Sequence, residues 1–190
     1  MRDAVVPAEP IRTDRLELGP LGARDRDELL AYRSDPETCR FLPFEPQTAE
    51  DIDRYLTTRA TRRQLGESDS SVSFGVRLAG GGPLVGDLIV FVRSRVDECL
   101  ELGWVLAPEH RGVGYATEAA AALLRFAFDE VGAHRVVARM DPANDASARV
   151  AGRLGLRREA LLLEDERVKG EWRDTLFFAI LEREWRASRR

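Results

Sequence analysis

Between an alternating apolar segment ending at Leu106 and a helix-forming run beginning near Thr117 lies Arg111-Gly112-Val113-Gly114-Tyr115-Ala116, a strand-to-helix turn with two glycines and an alanine. A turn of this composition binds anions. The first amides of a helix lack partners within it and sit at the positive end of its dipole, and glycine lets a phosphate approach the backbone. A pyrophosphate suits that chemistry. The GxxxxGK[ST] loop is excluded because no lysine follows Gly114, and GxGxxG is met only at Gly112 and Gly114, with Thr117 third. Asp141 does end the next strand, as a dinucleotide site would ask, but that fingerprint belongs in repeated βαβ units and this chain shows one clear parallel crossover. Arg111 adds positive charge beside the loop, and Thr117 and Glu118 suit a helix N-terminus.

Other reactive side chains are few. Glu101 lies on the strand that enters the loop, with Glu98 close by. His110 precedes the loop and His134 falls at a helix-to-strand corner, so both read as surface or structural residues. Cys39 and Cys99 stand alone, without a CxxC pair or a histidine at metal-ligand spacing, and read as reduced structural thiols. No metal site is expected.

The elements that must position these groups follow from apolar spacing. Leu16-Glu17-Leu18 alternates as a strand, and Leu29, Leu30 and Tyr32 follow at helical spacing. Pro36, Pro43 and Pro46 break the next stretch. Thr48 with Asp51 then caps a helix carrying Ile52, Tyr55 and Leu56, which stops at Gly66 and the serines after it. Residues 72–79 and 84–92 predict strands joined through Gly80-Gly81-Gly82-Pro83, and 99–106 a third, making an antiparallel meander. Over 117–131, Ala120, Leu124, Ala127, Phe128 and Val131 form one buried stripe that Leu123 widens. Residues 135–140 predict a buried strand, 145–154 a short helix closed by Gly155, and 156–163 and 173–181 the last strands.

The 190 residues are read as one domain, 1–190, with a flexible segment over 1–10. Lys plus Arg (29) against Asp plus Glu (33) gives a net charge of −4, and Lys169 is the only lysine, which argues against a nucleic-acid surface. Trp104, Trp172 and Trp185 accordingly read as core or interface residues rather than base-stacking platforms, and Arg183, Arg186, Arg189 and Arg190 as a solvated basic tail. No apolar run suffices for a secretion signal or membrane span, so a cytoplasmic protein without membrane partners is expected. Exposed late strands and Trp185 allow for a homodimer without requiring one.

Arg111-x-x-Gly114-x-Ala116 resembles the Gln/Arg-x-x-Gly-x-Gly/Ala signature of the GNAT superfamily of N-acetyltransferases. Five further landmarks, in family order, resemble its RimJ/RimL-type branch: residues 11–18, Glu101 to Leu106, Asn144-x-x-Ser147, Gly155-Leu156 and Trp172-Arg173-Asp174. The resemblance implies an α+β GNAT fold, a single mixed, mostly antiparallel twisted sheet of about seven strands flanked by about four helices, with a central βαβ unit that binds coenzyme A. It implies acetyl-coenzyme A as co-substrate and a primary amine as acceptor. Leu102, Gly103, Trp104, Val105 and Leu106 would line the pantetheine arm on a bulged strand that splays from its neighbour, a backbone N–H near Leu102 to Trp104 facing the thioester. Arg111, Gly112, Val113, Gly114, Tyr115, Ala116 and Thr117 would cradle the pyrophosphate, with Tyr115 packing beside the loop.

Acetyl transfer needs a neutral amine and protonation of the departing thiolate. Glu101 is the first choice of base, directly or through a water, and Glu98 a substitute; an exposed strand carboxylate remains the other reading. Many superfamily members protonate the thiolate with a tyrosine where this chain has Ala151. The branch resemblance points instead to Ser147, with Asn144 on the pantetheine amide, although both residues also suit a helix start. By resemblance the acceptor enters between residues 34–48 and 164–171, where Asp35, Glu37, Glu45, Glu164, Asp165 and Glu166 would attract a cation and Phe41 and Phe44 pack its carbon frame. Protein or peptide N-termini and small amines are both candidates. A GNAT-like domain that binds acyl-coenzyme A without turnover is the alternative.

Overall fold

The apolar alternation between Val72 and Leu106 becomes a meander of three long strands in this computed structural model, which describes all residues except 3, 6, 8, 59–61, 63, 66, 67, 189 and 190. The expected helix stop at Gly66 and the last two tail arginines lie outside the described residues. In chain order the elements are β1 (Ala4–Val5), β2 (Ile11–Arg12), β3 (Leu16–Gly19), α1 (Arg26–Arg33), α2 (Pro36–Cys39), α3 (Ala49–Thr58), β4 (Gln64–Leu65) and β5 (Ser71–Leu78). There follow β6 (Leu84–Ser94), β7 (Cys99–Leu106), α4 (Tyr115–Arg125), β8 (Arg135–Met140), α5 (Asp145–Arg153), β9 (Arg157–Val168), β10 (Glu171–Leu181) and α6 (Glu182–Ala187).

Eight strands form one mixed sheet in the order β2-β3-β5-β6-β7-β8-β10-β9, and β1 pairs with β4 apart from it. Only β7 and β8 run parallel; every other neighbour in the large sheet is antiparallel. The α+β class and the βαβ centre are as expected. The extra strand is the two-residue β2, and the extra helices, α2 and α6, span four and six residues, too few for a period to show. The Met1 ammonium meets Glu98, and the Arg2 amide donates to the Val131 carbonyl at 2.7 Å.

Helix α4 starts at Tyr115, two residues before the expected Thr117, because Gly114 adopts a left-handed conformation (φ 92) at its cap and lets the chain turn at once. Beyond Arg125 the coil widens through Phe126–Val131 and stops at Gly132 (φ 73). All five residues of the expected stripe, and Leu123, are buried. They meet Leu100, Leu102, Val136 and Ala138 of the central strands and the edge-to-face pair Phe74–Phe126, whose ring centroids are 5.8 Å apart. Each such side chain contributes about 1.5–3 kcal/mol on burial. Trp185 belongs to the same core, stacked on Phe128 at 5.9 Å, and is therefore no exposed surface for a second copy.

The opposite face carries a smaller cluster: Leu29, Tyr32, Ile52, Tyr55 and Leu56 of α1 and α3 pack with Leu84, and Val105 joins them. Strand periodicity therefore sorts β7. Leu100, Leu102 and Trp104 face α4 and α5; Glu101, Gly103 and Val105 face α1 and α3.

Candidate active site

The parallel ladder between β7 and β8 is short. It joins Cys99 to Arg135, Leu100 to Val136 and Glu101 to Val137, and then ends, although β7 runs on to Leu106 and β8 to Met140. Past Glu101 the strands have no partners in one another, and a cleft opens through the sheet. The expected bulge in β7 is absent: β6 and β7 stay in register from Gly86–Leu106 to Val92–Leu100, and the one irregularity falls at Arg93 of β6. The gap arises because β8 departs, held by its antiparallel pairing with β10 from Arg135 to Met140.

The cleft has a volume of about 730 Å³ and is lined by Glu101, Leu102, Gly103, Trp104, Val105, Asn144 and Ser147, so seven of the expected site residues come together. Leu106 is buried at the strand end, and residues 111–117 lie outside this lining.

Glu101 points to the α1/α3 face with its carboxylate largely shielded. Its Oε2 is buried and receives no hydrogen bond among the described residues; Arg93 Nε lies 3.3 Å away without hydrogen-bonding alignment. Burial pushes the Glu101 carboxyl above the usual carboxylate range, while Arg93 and Arg139 pull it back and Glu166 adds to the rise. A shielded carboxylate whose Oε2 is ion-paired with Arg93 but accepts no hydrogen bond among the described residues, and whose affinity for protons is raised, is suited to general-base work. Glu98 is unsuited to replace it, because it sits in the turn before β7, bonded to the Met1 ammonium.

On the other face, Asn144 caps α5: its Oδ1 accepts the Ser147 amide at 3.0 Å. Ser147 Oγ in turn accepts the Trp104 indole N–H at 3.2 Å. With that lone pair engaged, the hydroxyl proton is left to donate. Ala151, one turn on, is fully buried and offers no acid.

The loop before α4 has the shape of an anion cradle. Gly112 (φ 83) and Gly114 (φ 92) are both left-handed, and a Cβ at Gly112 would meet nothing within 4 Å, so the loop surface is open. Thr117 Oγ1 is buried at the first turn of α4 without a hydrogen-bond partner among the described residues. These features fit a coenzyme A pyrophosphate on the loop and its pantetheine arm in the gap.

Arg111 keeps its positive charge beside the loop, but its donors are engaged within the chain. Its guanidinium turns back to donate to the Leu106 carbonyl at 3.0 Å and to Thr38 Oγ1 at 2.7 Å, tying β7 to α2. Arg15 takes the place beside the loop: Nη1 donates to the Val113 carbonyl at 3.1 Å, and the guanidinium lies 4.7 Å over the Tyr115 ring. Glu118 holds Arg15 at 2.7 Å and also accepts from Thr13, and these bonds outweigh its burial and keep its carboxyl below the usual range. Thr13 and Arg15 were visible in the sequence only as a landmark of residues 11–18; their distance of a hundred residues from Glu118 hid the clasp.

The acceptor end differs from expectation in charge. Of the six anticipated acids only Glu166 lines the cleft, and it pairs with Arg139, as does Asp165. Asp35 caps α2, accepting from the Glu37 and Thr38 amides. Residues 164–171 are mostly strand, ending in the tight turn Lys169-Gly170, rather than a loop. Phe41 and Phe44 do reach the cleft. Arg33 and Asp87 form a buried ion pair beneath it, joined by the Tyr32 hydroxyl. Burial would lower the Arg33 pKa, but Asp87 holds it raised. Lys169 Nζ bonds the Cys39 carbonyl at 2.6 Å, roping the hairpin tip to α2 across the mouth. Among the described residues no helix is long and apolar enough to cross a membrane, and no cluster of three or more His, Cys, Asp or Glu is placed to hold a metal.

Comparison with known proteins agrees with this geometry. The model of an acetyltransferase (GNAT) domain matches residues 15–157. YnaD of Bacillus subtilis, an uncharacterized N-acetyltransferase, is 33% identical over 175 residues, 92% of this chain and 98% of its own length. The alanine N-acetyltransferase of ribosomal protein uS5 from Escherichia coli is 27% identical over 97% of this chain and 96% of its own. A GNAT-family acetyltransferase from Bacillus anthracis superposes with a TM-score of 0.82 at 30% identity, covering 92% of this chain and 99% of that one.

Proposed function

The chain belongs to the GNAT acetyltransferase family, and from that premise we propose that its single domain moves an acetyl group from acetyl-coenzyme A to a primary α-amine, with Glu101 as base and Ser147 as acid. Acetyl-coenzyme A supplies an activated acyl group and a thiolate leaving group. The observation that carries the reading is the β7/β8 gap, flanked by the unbonded Glu101 Oε2 on one face and the Ser147 hydroxyl on the other.

Each residue's part follows from its surroundings. Glu101 takes a proton from the incoming ammonium, directly or through one water, and its raised pKa favours that transfer near neutral pH. The amides between Leu102 and Trp104 that face the gap have no ladder partner on β8 and can donate to an acyl oxygen. Ser147, fixed through Trp104, donates a hydrogen bond to the departing sulfur and relays to it, directly or through water, the second proton lost by the acetylated nitrogen, so that the serine itself ends neutral. The loop from Gly112 through Thr117 holds the pyrophosphate, with Arg15 and Arg111 as braces.

An α-amino group has a reference pKa about 2.5 units below that of lysine, roughly 3.4 kcal/mol less cost for the neutral form at pH 7. That favours peptide or protein N-termini, and the likeness to the uS5-alanine acetyltransferase supports the same class. The test is a panel of N-terminal peptides, lysine peptides and small amines, read by free-thiol release from acetyl-coenzyme A. The expected result is turnover on α-amines that Glu101→Gln slows without weakening acetyl-coenzyme A binding. Tight binding with no turnover on any amine would refute the reading.

A further inference from the structure

The charges of the cleft favour one kind of acceptor. Among the described residues, seven arginine or lysine side chains line it against six carboxylates, in a chain whose net charge is −4. Four of those carboxylates, Glu101 among them, are matched by cations of the same wall, as Asp87 is by Arg33 and Glu166 by Arg139. The other two, Asp141 and Asp174, accept the Ala143 and Glu164 amides at 2.8 and 2.9 Å. Arg40 and Arg173 reach out to Glu37 and Glu171 at the exposed rim, where pairing is weak, and Lys169 has no carboxylate partner among the described residues. The wall is therefore net positive within a net negative chain.

Two of its cations have donors to give. Arg93 is the residue left without a partner at the irregularity of β6, between the pairs Val92–Leu100 and Ser94–Cys99. A bulge re-aims a side chain, and here Arg93 Nε lies 3.3 Å from Glu101 Oε2 with the side chain 47% exposed. The guanidinium makes no hydrogen bond among the described residues, although it carries five N–H donors. An amine that reaches Glu101 brings whatever is attached near its nitrogen alongside Arg93. Farther out, Lys169 spends one donor on the Cys39 carbonyl at the mouth and keeps two.

We propose that the acceptor is an α-amine with a carboxylate close to it, which Arg93 binds beside the base and Lys169 draws in at the mouth. The inference rests on the reading of the cleft as an α-amine site. A carboxylate on Arg93 makes charge-assisted bonds and displaces no hydrogen bond of the chain. A polyamine meets a net positive wall instead. Two sources carry the required carboxylate: a peptide with an acidic residue next to its N-terminus, and a free α-amino acid.

Matched acceptors test this: peptides that differ only by Asp or Asn at the second position, and alanine beside alaninamide. Each is read as kcat/KM from thiol release, corrected for the neutral fraction of the amine. A ratio taken within a pair cancels changes in folding, in the base and in the cofactor site. The wild type should favour the acid about tenfold or more in one pair, and which pair it is distinguishes a peptide from an amino acid. Lys169→Gln should narrow that ratio and Arg93→Gln should bring it near one, and a linear triamine should be a poor acceptor. Equal rates within both pairs, a ratio untouched by both substitutions, or a triamine preferred to the acids would overturn the proposal. If no acceptor is turned over, the functional reading falls, and calorimetry on the protein loaded with coenzyme A decides the preference: tighter binding of the acid in a pair supports it, and equal binding overturns it.

Discussion

The indole Nε1 of Trp104 donates to Ser147 Oγ at 3.2 Å, joining β7 to α5 where β7 has already parted from β8. The bond fixes a serine that its own backbone places but does not orient. Trp104→Phe should keep the ring's packing and lose the donor, and a lost hydrogen bond of about 1 kcal/mol corresponds to roughly a fivefold fall in kcat. KM for acetyl-coenzyme A should change little. Ser147→Ala should cost about 100-fold, the lower range for a general acid. Steady-state kinetics on both variants separates the donor from the acid; equal activity of wild type and Ser147→Ala would remove Ser147 from the chemistry.

Burial raises the Glu101 carboxyl, and this sets a pH dependence with a definite sign. The base must be ionised, so kcat/KM should rise with pH through a pKa above the ordinary carboxylate range and level off beyond it. Glu101→Gln should lower the plateau about 100-fold and erase that limb. The sign for stability is opposite. A carboxyl whose folded pKa exceeds its unfolded one favours the folded state below the unfolded pKa and loses that contribution as pH rises through the folded pKa. Above its folded pKa the ionised, largely shielded Glu101 therefore costs stability, and the melting temperature of Glu101→Gln should gain on that of wild type as pH rises.

Arg33 and Asp87 are almost wholly buried beneath the acceptor end, with Tyr32 donating to the same carboxylate. Removing one partner strands the other charge in the interior. Asp87→Ala should cost about 3–5 kcal/mol in urea unfolding, enough to leave little folded protein at 37 °C if stability is ordinary.

Gly86 of β6 lies against β7 so closely that a Cβ would meet the Val105 carbonyl and come within 2.9 Å of Leu106 Cα. Backbone cannot rotate away as a side chain can. Gly86→Ala should push β7 out of register near the cleft, destabilise by about 1–3 kcal/mol and raise KM for acetyl-coenzyme A. An unaltered KM in a stably folded variant would show that the end of β7 does not bear on the cofactor.

Local chemistry made much of this legible in the sequence. The alanine-rich run after Gly114 marked α4 to within two residues of its start, and the apolar runs 72–79, 84–92 and 99–106, with turn residues between them, marked the meander. What stayed hidden depended on long-range contacts. Arg111 was read as charge beside the phosphate loop; its bonds to the nearby Leu106 carbonyl and to Thr38, seventy residues upstream, could not be read from its type and place. The acids of 164–166 read as free to attract a cation because nothing in their spacing revealed Arg139, which arrives from β8 and pairs with Asp165 and Glu166. Trp185 followed a strand into a charged tail, and only the fold showed Phe128 beneath it.

Glu101 and Ser147 lie on opposite faces of the sheet, and under the proposed mechanism this governs the order of events in solution as much as the chemistry. On the proposed reading each reactant has its own door: the nucleotide from the α4/α5 side, the amine from the α1/α3 side. Neither has to leave before the other arrives, so initial-rate plots should intersect rather than run parallel, and no acetylated form of the protein should accumulate when the donor is supplied alone. A passage open at both ends also lets the two products depart without crossing, leaving the turnover number to be limited by whichever door is slower.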